Sequence, residues 1–122
     1  MSTNAELVRT ALTKLFIEGD ADAIDQYWTP GYIQHNPLMS DGTDGLRAGI
    51  AAAPDGKVGY EMGVMVAEGD YVMVHGRYTG WAPTPLVVID IFRIEHGKIA
   101  EHWDVTQPEV PADQTASGRP MF

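Results

Sequence analysis

The chain has 122 residues, of which 17 are acidic and 8 are basic, so its net charge at pH 7 is -9. This length suits one domain with one core. A hydrophobic content of 44% excludes a disordered chain, and the acidic balance argues against nucleic acid and membranes as partners. The absence of cysteine excludes disulfides, thiolate nucleophiles and thiolate metal ligands.

The start of the chain predicts two helices. Thr3 and Glu6 have the spacing of a capping box, and apolar residues then recur at helical intervals until Gly19 ends the pattern. Asp20 can cap a second, shorter helix that reaches Tyr27. We therefore expect two consecutive helices before the first Pro-Gly break.

An extended segment and a third helix follow. Residues 32–37 read as extended, because Pro37 disfavours helical geometry at Asn36. Thr43 can cap the third helix, which Pro54 ends. The first half of the chain is thus mainly helical.

The second half of the chain changes to strand patterns. Short turns separate four predicted strands, which cover residues 60–68, 71–79, 85–95 and 98–107. Helices followed by an antiparallel meander indicate an α+β fold rather than a parallel sheet. We predict one domain over residues 1–107, followed by an extended C-terminal tail over residues 108–122.

The sequence also bears on location. The first residues lack a basic segment followed by an apolar run, and nowhere do about 18 apolar residues stand together. A cytoplasmic protein is the prediction that follows.

Asp90 lies in the middle of a strand that is otherwise apolar on both faces up to its charged end. Strand alternation places Asp90 with Phe92 on one face and Arg93 on the other, so the face of Asp90 is the better candidate for the interior. A buried carboxylate needs hydrogen-bond partners or a raised pKa. Asp90 is therefore either a functional carboxylate or one that only accepts structural hydrogen bonds.

His102 and Asp104 lie two residues apart in the last strand and share one face. Alternation alone leaves open whether this face points inward, because apolar residues, including Trp103, occupy the other face. Pairing through the tight turn at residues 96–97 puts Asp90 opposite Asp104 or Trp103. Two carboxylates beside a histidine in an interior would have separated pKa values, which would give one acid and one base.

Further candidates come from the remaining histidines and the aromatic residues. His35 and His75 are either members of a site or hydrogen-bonded structural histidines. Aromatic side chains that could wall an apolar pocket and contact a substrate, or simply pack in a core, are Trp28, Tyr32, Tyr78, Trp81 and Phe92.

The residue types would also suit a zinc or iron site, but no His-x-His or His-x-x-x-His pair occurs. No serine has the context of a nucleophile elbow. We therefore expect neither a metal nor another cofactor, and no covalent intermediate.

Four segments resemble SnoaL-like polyketide cyclases, a branch of the nuclear transport factor 2-like superfamily. They are residues 32–37 (YIQHNP), 45–47 (GLR), 88–93 (VIDIFR) and 97–105 (GKIAEHWDV). The resemblance implies a cone-shaped α+β fold, in which N-terminal helices pack on a strongly curved, mostly antiparallel sheet and enclose a pocket. It also implies a homodimer formed through the outer face of the sheet.

The resemblance further implies a mechanism. In the cyclases, an aspartate at the position of Asp104 takes and returns a proton during an intramolecular aldol condensation, without a metal. Asp104 would then be the general base, His102, His35 or His75 would donate to the developing enolate, and Asp90 would tune the site.

These observations predict a cofactor-independent cyclase, aldol-type lyase or isomerase that acts on a small, largely apolar organic molecule. The cyclases carry a histidine near the position of Asp90. The arginine that lies between two aspartates in the related epoxide hydrolases has no counterpart here, which argues against that activity. The alternatives are a non-catalytic ligand-binding module of the same fold and a metal-dependent enzyme.

Overall fold

The computed structural model describes residues 3–53 and 58–122. Within these residues the α-helices are α1 (Asn4–Leu12), which continues as a π-helical turn (Thr13–Ile17), α2 (Ala23–Tyr27) and α3 (Gly42–Ala51), and the tail contains a short 3-10 helix (Ala112–Gln114). The strands are β1 (Trp28–Gln34), β2 (Gly59–Glu68), β3 (Tyr71–Thr79), β4 (Leu86–Glu95) and β5 (Lys98–Pro108). None of the described helices is long and apolar enough to cross a membrane.

The predicted start of α1 is confirmed. The hydroxyl of Thr3 accepts a hydrogen bond from the Glu6 backbone at 3.1 Å, and the Glu6 carboxylate accepts one from the Thr3 backbone, also at 3.1 Å. This reciprocal pair satisfies two backbone donors that a helix start otherwise leaves unpaired. Gly19, with φ of +70°, ends the pattern as expected.

The two other predicted caps are wrong. The Asp20 carboxylate accepts from the Asp22 backbone at 3.0 Å and thereby closes a turn, and α2 begins only afterwards, at Ala23. Helix α3 begins at Gly42, before Thr43, and has Asp41 as its capping residue. Asp41 uses its carboxylate for the β1 backbone instead of its own helix. The predicted end at Pro54 lies outside the described residues.

The sheet has the strand order β1-β5-β4-β3-β2, and β2 to β5 form the predicted antiparallel meander. The break predicted after Tyr27 is instead strand β1, which adds to the edge of the sheet in parallel with β5. The helices cover one face of this sheet, so the α+β fold class and the cone-shaped, mostly antiparallel architecture are confirmed.

Strand β5 contains a bulge at Ala100. Ile94 pairs with Ile99, whereas Arg93 pairs with Glu101, so Ala100 is one residue extra. The register next to the turn is the one that would put Asp90 opposite Trp103, and the register beyond the bulge is the one that puts Asp90 opposite Asp104. Both predicted registers therefore occur. A bulge resets the alternation of side chains. This is why Ile99 and His102 are both buried, although simple alternation puts them on opposite faces.

The inner face of the sheet packs on the helices. Its core contains Val8 and Leu12 from α1, Ile24 from α2, and Val72 and Val74 from β3, all fully buried. The outer face carries partly exposed apolar side chains, namely Val66, Tyr71, Met73, Ile89 and Val105. Pairing of two chains through this face stays a prediction.

The C-terminal tail lies against the outer face. Strand β5 runs to Pro108, and beyond it Glu109 accepts hydrogen bonds from Arg77 of β3 at 3.0 to 3.2 Å. At the end of the tail the ring of Phe122 packs edge-on against His75, with 5.2 Å between ring centroids. The tail is thus anchored to β3 at both of its ends.

Candidate active site

A cavity of about 630 Å³ lies between the helices and the inner face of the sheet. Its wall is mainly apolar and aromatic, and includes Leu12, Phe16, Leu46, Leu86 and Val88. The predicted substrate contacts Trp28, Tyr32, Tyr78, Trp81 and Phe92 all line it as well. Polar side chains in the lining are Gln34, Asn36, Asp90, His102, Asp104 and Thr106. An apolar cavity with a few converging polar groups is the usual form of a small-molecule site.

The strand register brings the carboxylates together. Asp90 of β4 is the direct partner of Asp104 of β5, and His102 is the partner of Phe92 one pair further along the same face. On the other side of β5, the parallel strand β1 places Gln34 beside His102. The site is therefore assembled from three adjacent strands.

Asp90 and His102 form a buried pair. His102 Nε2 lies 2.7 Å from Asp90 Oδ1, and the hydroxyl of Tyr78 donates to Asp90 Oδ2 at 3.0 Å. Only 2% of Asp90 and 6% of His102 are exposed. The need of a buried Asp90 for hydrogen-bond partners, inferred from the sequence, is thus met by both of its oxygens.

Gln34 and Asn36 hold the other side of this pair. Gln34 Oε1 lies 2.7 Å from His102 Nδ1, and the backbone N–H of Asn36 donates to the same oxygen at 3.0 Å. The side-chain amide of Asn36 reaches both oxygens of Asp104, at 2.8 and 2.9 Å. Two neutral amides thus orient the histidine and the second carboxylate.

The surroundings of Asp104 differ from those of Asp90. Burial raises the pKa of the Asp104 carboxyl, and the hydrogen bond from Asn36 and the charge of His102 offset this only in part. Its Oδ2 lies 3.8 Å from His102 Nε2, which is beyond a direct hydrogen bond. A carboxylate with a raised pKa and no direct cationic partner is suited to accept a proton.

The tyrosines of the site remain neutral donors. Burial and the charge of Asp90 raise the pKa of both Tyr32 and Tyr78 well above the range of ordinary pH. The Tyr32 hydroxyl accepts from Gln34 Nε2 at 3.1 Å, which leaves its own proton available to another group. Tyr32 is therefore a second neutral donor at the cavity.

Two predicted site histidines lie elsewhere, and their assignment to the site is corrected. His35 follows Gln34, and strand alternation turns it to the outer face, where it contacts Glu101 at 2.7 Å and stacks on Trp103. His75 alternates with buried neighbours in β3 and also points outward, against the tail. Neither residue lines the cavity among the described residues.

Sequence reasoning did not assign roles to Gln34 and Asn36. A signal was present, because Tyr32, Gln34 and Asn36 are spaced two apart in the extended segment 32–37, so their side chains share a face. That face is the one that lines the cavity.

A metal would have to rearrange this site. Asp90, His102 and Asp104 each offer one donor atom, and these atoms lie within 4.8 Å of one another, which suits a zinc or iron site in residue type. As they stand, however, His102 Nε2 and Asp90 Oδ1 are hydrogen-bonded directly to each other. A metal between them would replace that hydrogen bond. The absence of a cofactor stays a prediction.

The chain is similar to known proteins in sequence and in structure. The SnoaL-like domain model matches residues 8–102. TsrD from Streptomyces laurentii has 25% identity and a TM-score of 0.68, over 85% of this chain and 88% of that chain. A candidate polyketide cyclase from Acidithiobacillus ferrooxidans has 19% identity and a TM-score of 0.71, over 88% and 90%.

A nuclear transport factor 2-like protein of unknown function from Cytophaga hutchinsonii has a TM-score of 0.74 at 16% identity, over 88% of this chain and 93% of that chain. A comparison with curated proteins finds no match. The match to the family model covers most of the chain, and the solved structures share its fold. The chain therefore belongs to the SnoaL-like domain family.

Proposed function

We propose that this protein is a cofactor-independent acid–base enzyme, with Asp104 as its general base. Its substrate is a small, largely apolar molecule with a C–H bond next to a carbonyl group. The observation that carries the proposal is the convergence of Asp104, His102 and Asp90 at one end of a mainly apolar cavity. Membership in the SnoaL-like family supports a cyclase-type reaction.

The proposed reaction begins with proton transfer. The Asp104 carboxylate removes the proton next to the carbonyl, and the electron pair of that C–H bond forms an enolate. Tyr32, whose proton is not used among the described residues of the site, can donate a hydrogen bond to the developing oxyanion. His102 Nε2–H or Asn36 can do so in place of its present acceptor, Asp90 or Asp104. The enolate carbon then attacks a second carbonyl of the same molecule, and the alkoxide that forms takes the proton from Asp104. In an isomerisation, a conjugated dienolate instead takes that proton from Asp104 at its far carbon.

The first step can be tested without the natural substrate. The probe is 2-tetralone, an apolar ketone with exchangeable hydrogens. Its binding is measured by quenching of tryptophan fluorescence, since Trp28 and Trp81 line the cavity. Loss of its α-hydrogen signals in D₂O is then followed by proton NMR.

We expect the wild type to accelerate this exchange and Asp104→Asn to lose about a hundredfold or more of the acceleration, as for a positioned general base. Asp113→Asn, which changes an exposed carboxylate in the tail, is the matched control and should behave as the wild type. A wild type that binds the ketone and exchanges its hydrogens no faster than the Asp104→Asn variant would contradict the proposal.

The second candidate is a ligand-binding module without chemistry. It is favoured by the mainly apolar lining and by the engagement of both Asp104 oxygens with Asn36. In that case ketone binding would be equal in the wild type and in Asp104→Asn, and neither protein would accelerate exchange. The same two measurements therefore separate the two candidates.

A further inference from the structure

Both ring nitrogens of His102 face acceptor atoms. Nδ1 lies 2.7 Å from Gln34 Oε1, and Nε2 lies 2.7 Å from Asp90 Oδ1. A neutral imidazole has one N–H donor and one acceptor nitrogen, so it can satisfy only one of these contacts by donation. The number of protons on the His102 ring therefore depends on whether one or both of these contacts must be a donation from the ring.

The amide orientation of Gln34 is set by its other neighbours. The backbone N–H of Asn36 can only donate, and it lies 3.0 Å from the Gln34 atom that also contacts His102. At the other end of the amide, Nε2 points to the hydroxyl of Tyr32 and the sulfur of Met39, which both accept. The atom beside His102 is therefore the oxygen, and Nδ1 of His102 carries a proton.

The contact on the opposite side of the ring requires a second proton. A nitrogen lone pair and a carboxylate oxygen repel each other at 2.7 Å unless a hydrogen lies between them. Asp90 Oδ2 already accepts from Tyr78, and a carboxylate can accept at both of its oxygens. Asp104, 3.8 Å from Nε2, adds a second negative charge beside the ring.

The other groups around the ring do not compete for this proton. Strand β1 contributes Tyr32 and strand β3 contributes Tyr78, both neutral donors. The helices contribute apolar residues to the described cavity lining, such as Leu12 and Leu46. The charged groups that face His102 within the described residues are thus the carboxylates of Asp90 and Asp104.

We infer that Gln34 is a positioning residue that holds His102 as a doubly protonated imidazolium, paired with ionised Asp90 and poised 3.8 Å from Asp104. Its role in turnover rests on the proposed function, for which His102 Nε2–H would be the acid that accompanies the base Asp104. The protonation state itself concerns the free protein and does not depend on any substrate.

The test is nitrogen-15 NMR of protein labelled at histidine, at neutral pH and without substrate. Replacement of His102 by Gln assigns its signals. Both ring nitrogens of His102 should show protonated shifts and N–H couplings. A His102 ring with one unprotonated nitrogen would overturn the inference, and this measurement needs no variant of Gln34.

Variants of Gln34 then test its part. Gln34→Met removes the acceptor at similar volume, so Nδ1 should lose its proton, whereas Gln34→Glu keeps an acceptor oxygen and should keep the imidazolium signature. Gln107→Met, on an exposed residue of β5, is the matched control. A Gln34→Met protein that is folded by circular dichroism and still shows both nitrogens protonated would overturn the assignment to Gln34.

The ketone exchange assay separates this inference from the proposed function. If both are right, Gln34→Met lowers the exchange rate of bound 2-tetralone about a hundredfold with little change in its binding, and Gln34→Glu restores much of the rate. An imidazolium signature in a protein without exchange activity would contradict the proposed function and support the inference. Exchange activity with a neutral His102 would support the proposed function and contradict the inference.

Discussion

Asp90 and Asp104 are direct cross-strand partners on the inner face of β4 and β5, although both are carboxylates. Like charges in this relationship repel each other and destabilise a sheet. Here the two carboxylates have separate hydrogen-bond partners. Asp90 contacts His102 and Tyr78, and Asp104 accepts from Asn36. The two carboxylates therefore have different hydrogen-bond partners although they line the same cavity.

The raised pKa of Asp104 predicts a stability difference that depends on pH. A carboxyl whose pKa is higher in the folded state binds more protons folded than unfolded, so folding loses stability as pH rises between the two pKa values and stays lower above them. Asparagine does not ionise. Asp104→Asn should therefore melt at a higher temperature than the wild type at pH 7.

The same melts at lower pH complete this test. The difference should shrink below about pH 4, where the wild-type carboxyl is protonated in both states. Asp113→Asn should give melting temperatures equal to those of the wild type across the range. An Asp104→Asn protein that melts below the wild type at pH 7, but not at acidic pH, would contradict the raised pKa of Asp104.

The buried pair predicts a large stability loss on removal of one partner. Asp90→Asn removes the counter-charge of His102 and should lower the free energy of unfolding by about 3 kcal/mol, measured by urea denaturation. Tyr78→Phe removes one hydrogen bond to the same carboxylate and should cost about 2 kcal/mol. Because both changes act on one network, the double variant should lose less than their sum. An Asp90→Asn protein as stable as the wild type would refute the buried ion pair.

The outward positions of His35 and His75 predict that neither takes part in proton transfer. His35→Gln and His75→Gln should each leave the ketone exchange rate within about twofold of the wild type, whereas removal of His102 should not. Thermal melts of the variants serve as the folding control. A hundredfold loss in either variant that melts normally would return that histidine to the site.

The exposed apolar side chains of the outer face predict a homodimer. Ile89→Lys and Val105→Lys place charges on this face, where the side chains are 40% and 73% exposed. Light scattering coupled to size exclusion should give twice the chain mass for the wild type and a shift towards the monomer in the double variant. A lysine substitution at Leu38, which is 93% exposed on the loop after β1, is the control and should leave the mass unchanged. A monomeric wild type would end this prediction.

Much of the fold could be predicted from local patterns. The capping box at Thr3, the meander of four strands and the inward face of Asp90 all depend on neighbouring residues and on a period of two. The first part of strand β1 was missed because Pro30 and Gly31 are typical of a break, whereas the edge strand holds them where its register against β5 shifts, between Trp28 and Ile33. Its last residues fall in the segment that was predicted to be extended.

The candidate site was predicted only in part, for a different reason. Asp90, His102 and Asp104 follow from strand register, but the inward direction of His102 and Asp104 depends on the bulge at Ala100, which alternation does not reveal. His35 and His75 were attractive by residue type, and only their place in the alternation excludes them. Gln34 and Asn36 are neutral amides, so their importance is visible only through the charged groups that they contact.

The bulge at Ala100 lies between the β4–β5 turn and the strand pairs that carry Asp90, His102 and Asp104. Ala100 is accommodated outside the regular ladder, and all pairs from Arg93 with Glu101 onward keep a regular register. If this residue were deleted, Ile99 would still pair with Ile94 and His102 would still pair with Phe92. The hairpin can therefore lose one residue near its tip while Asp104 stays opposite Asp90, so the tip can shorten without moving the acid–base groups of the cavity.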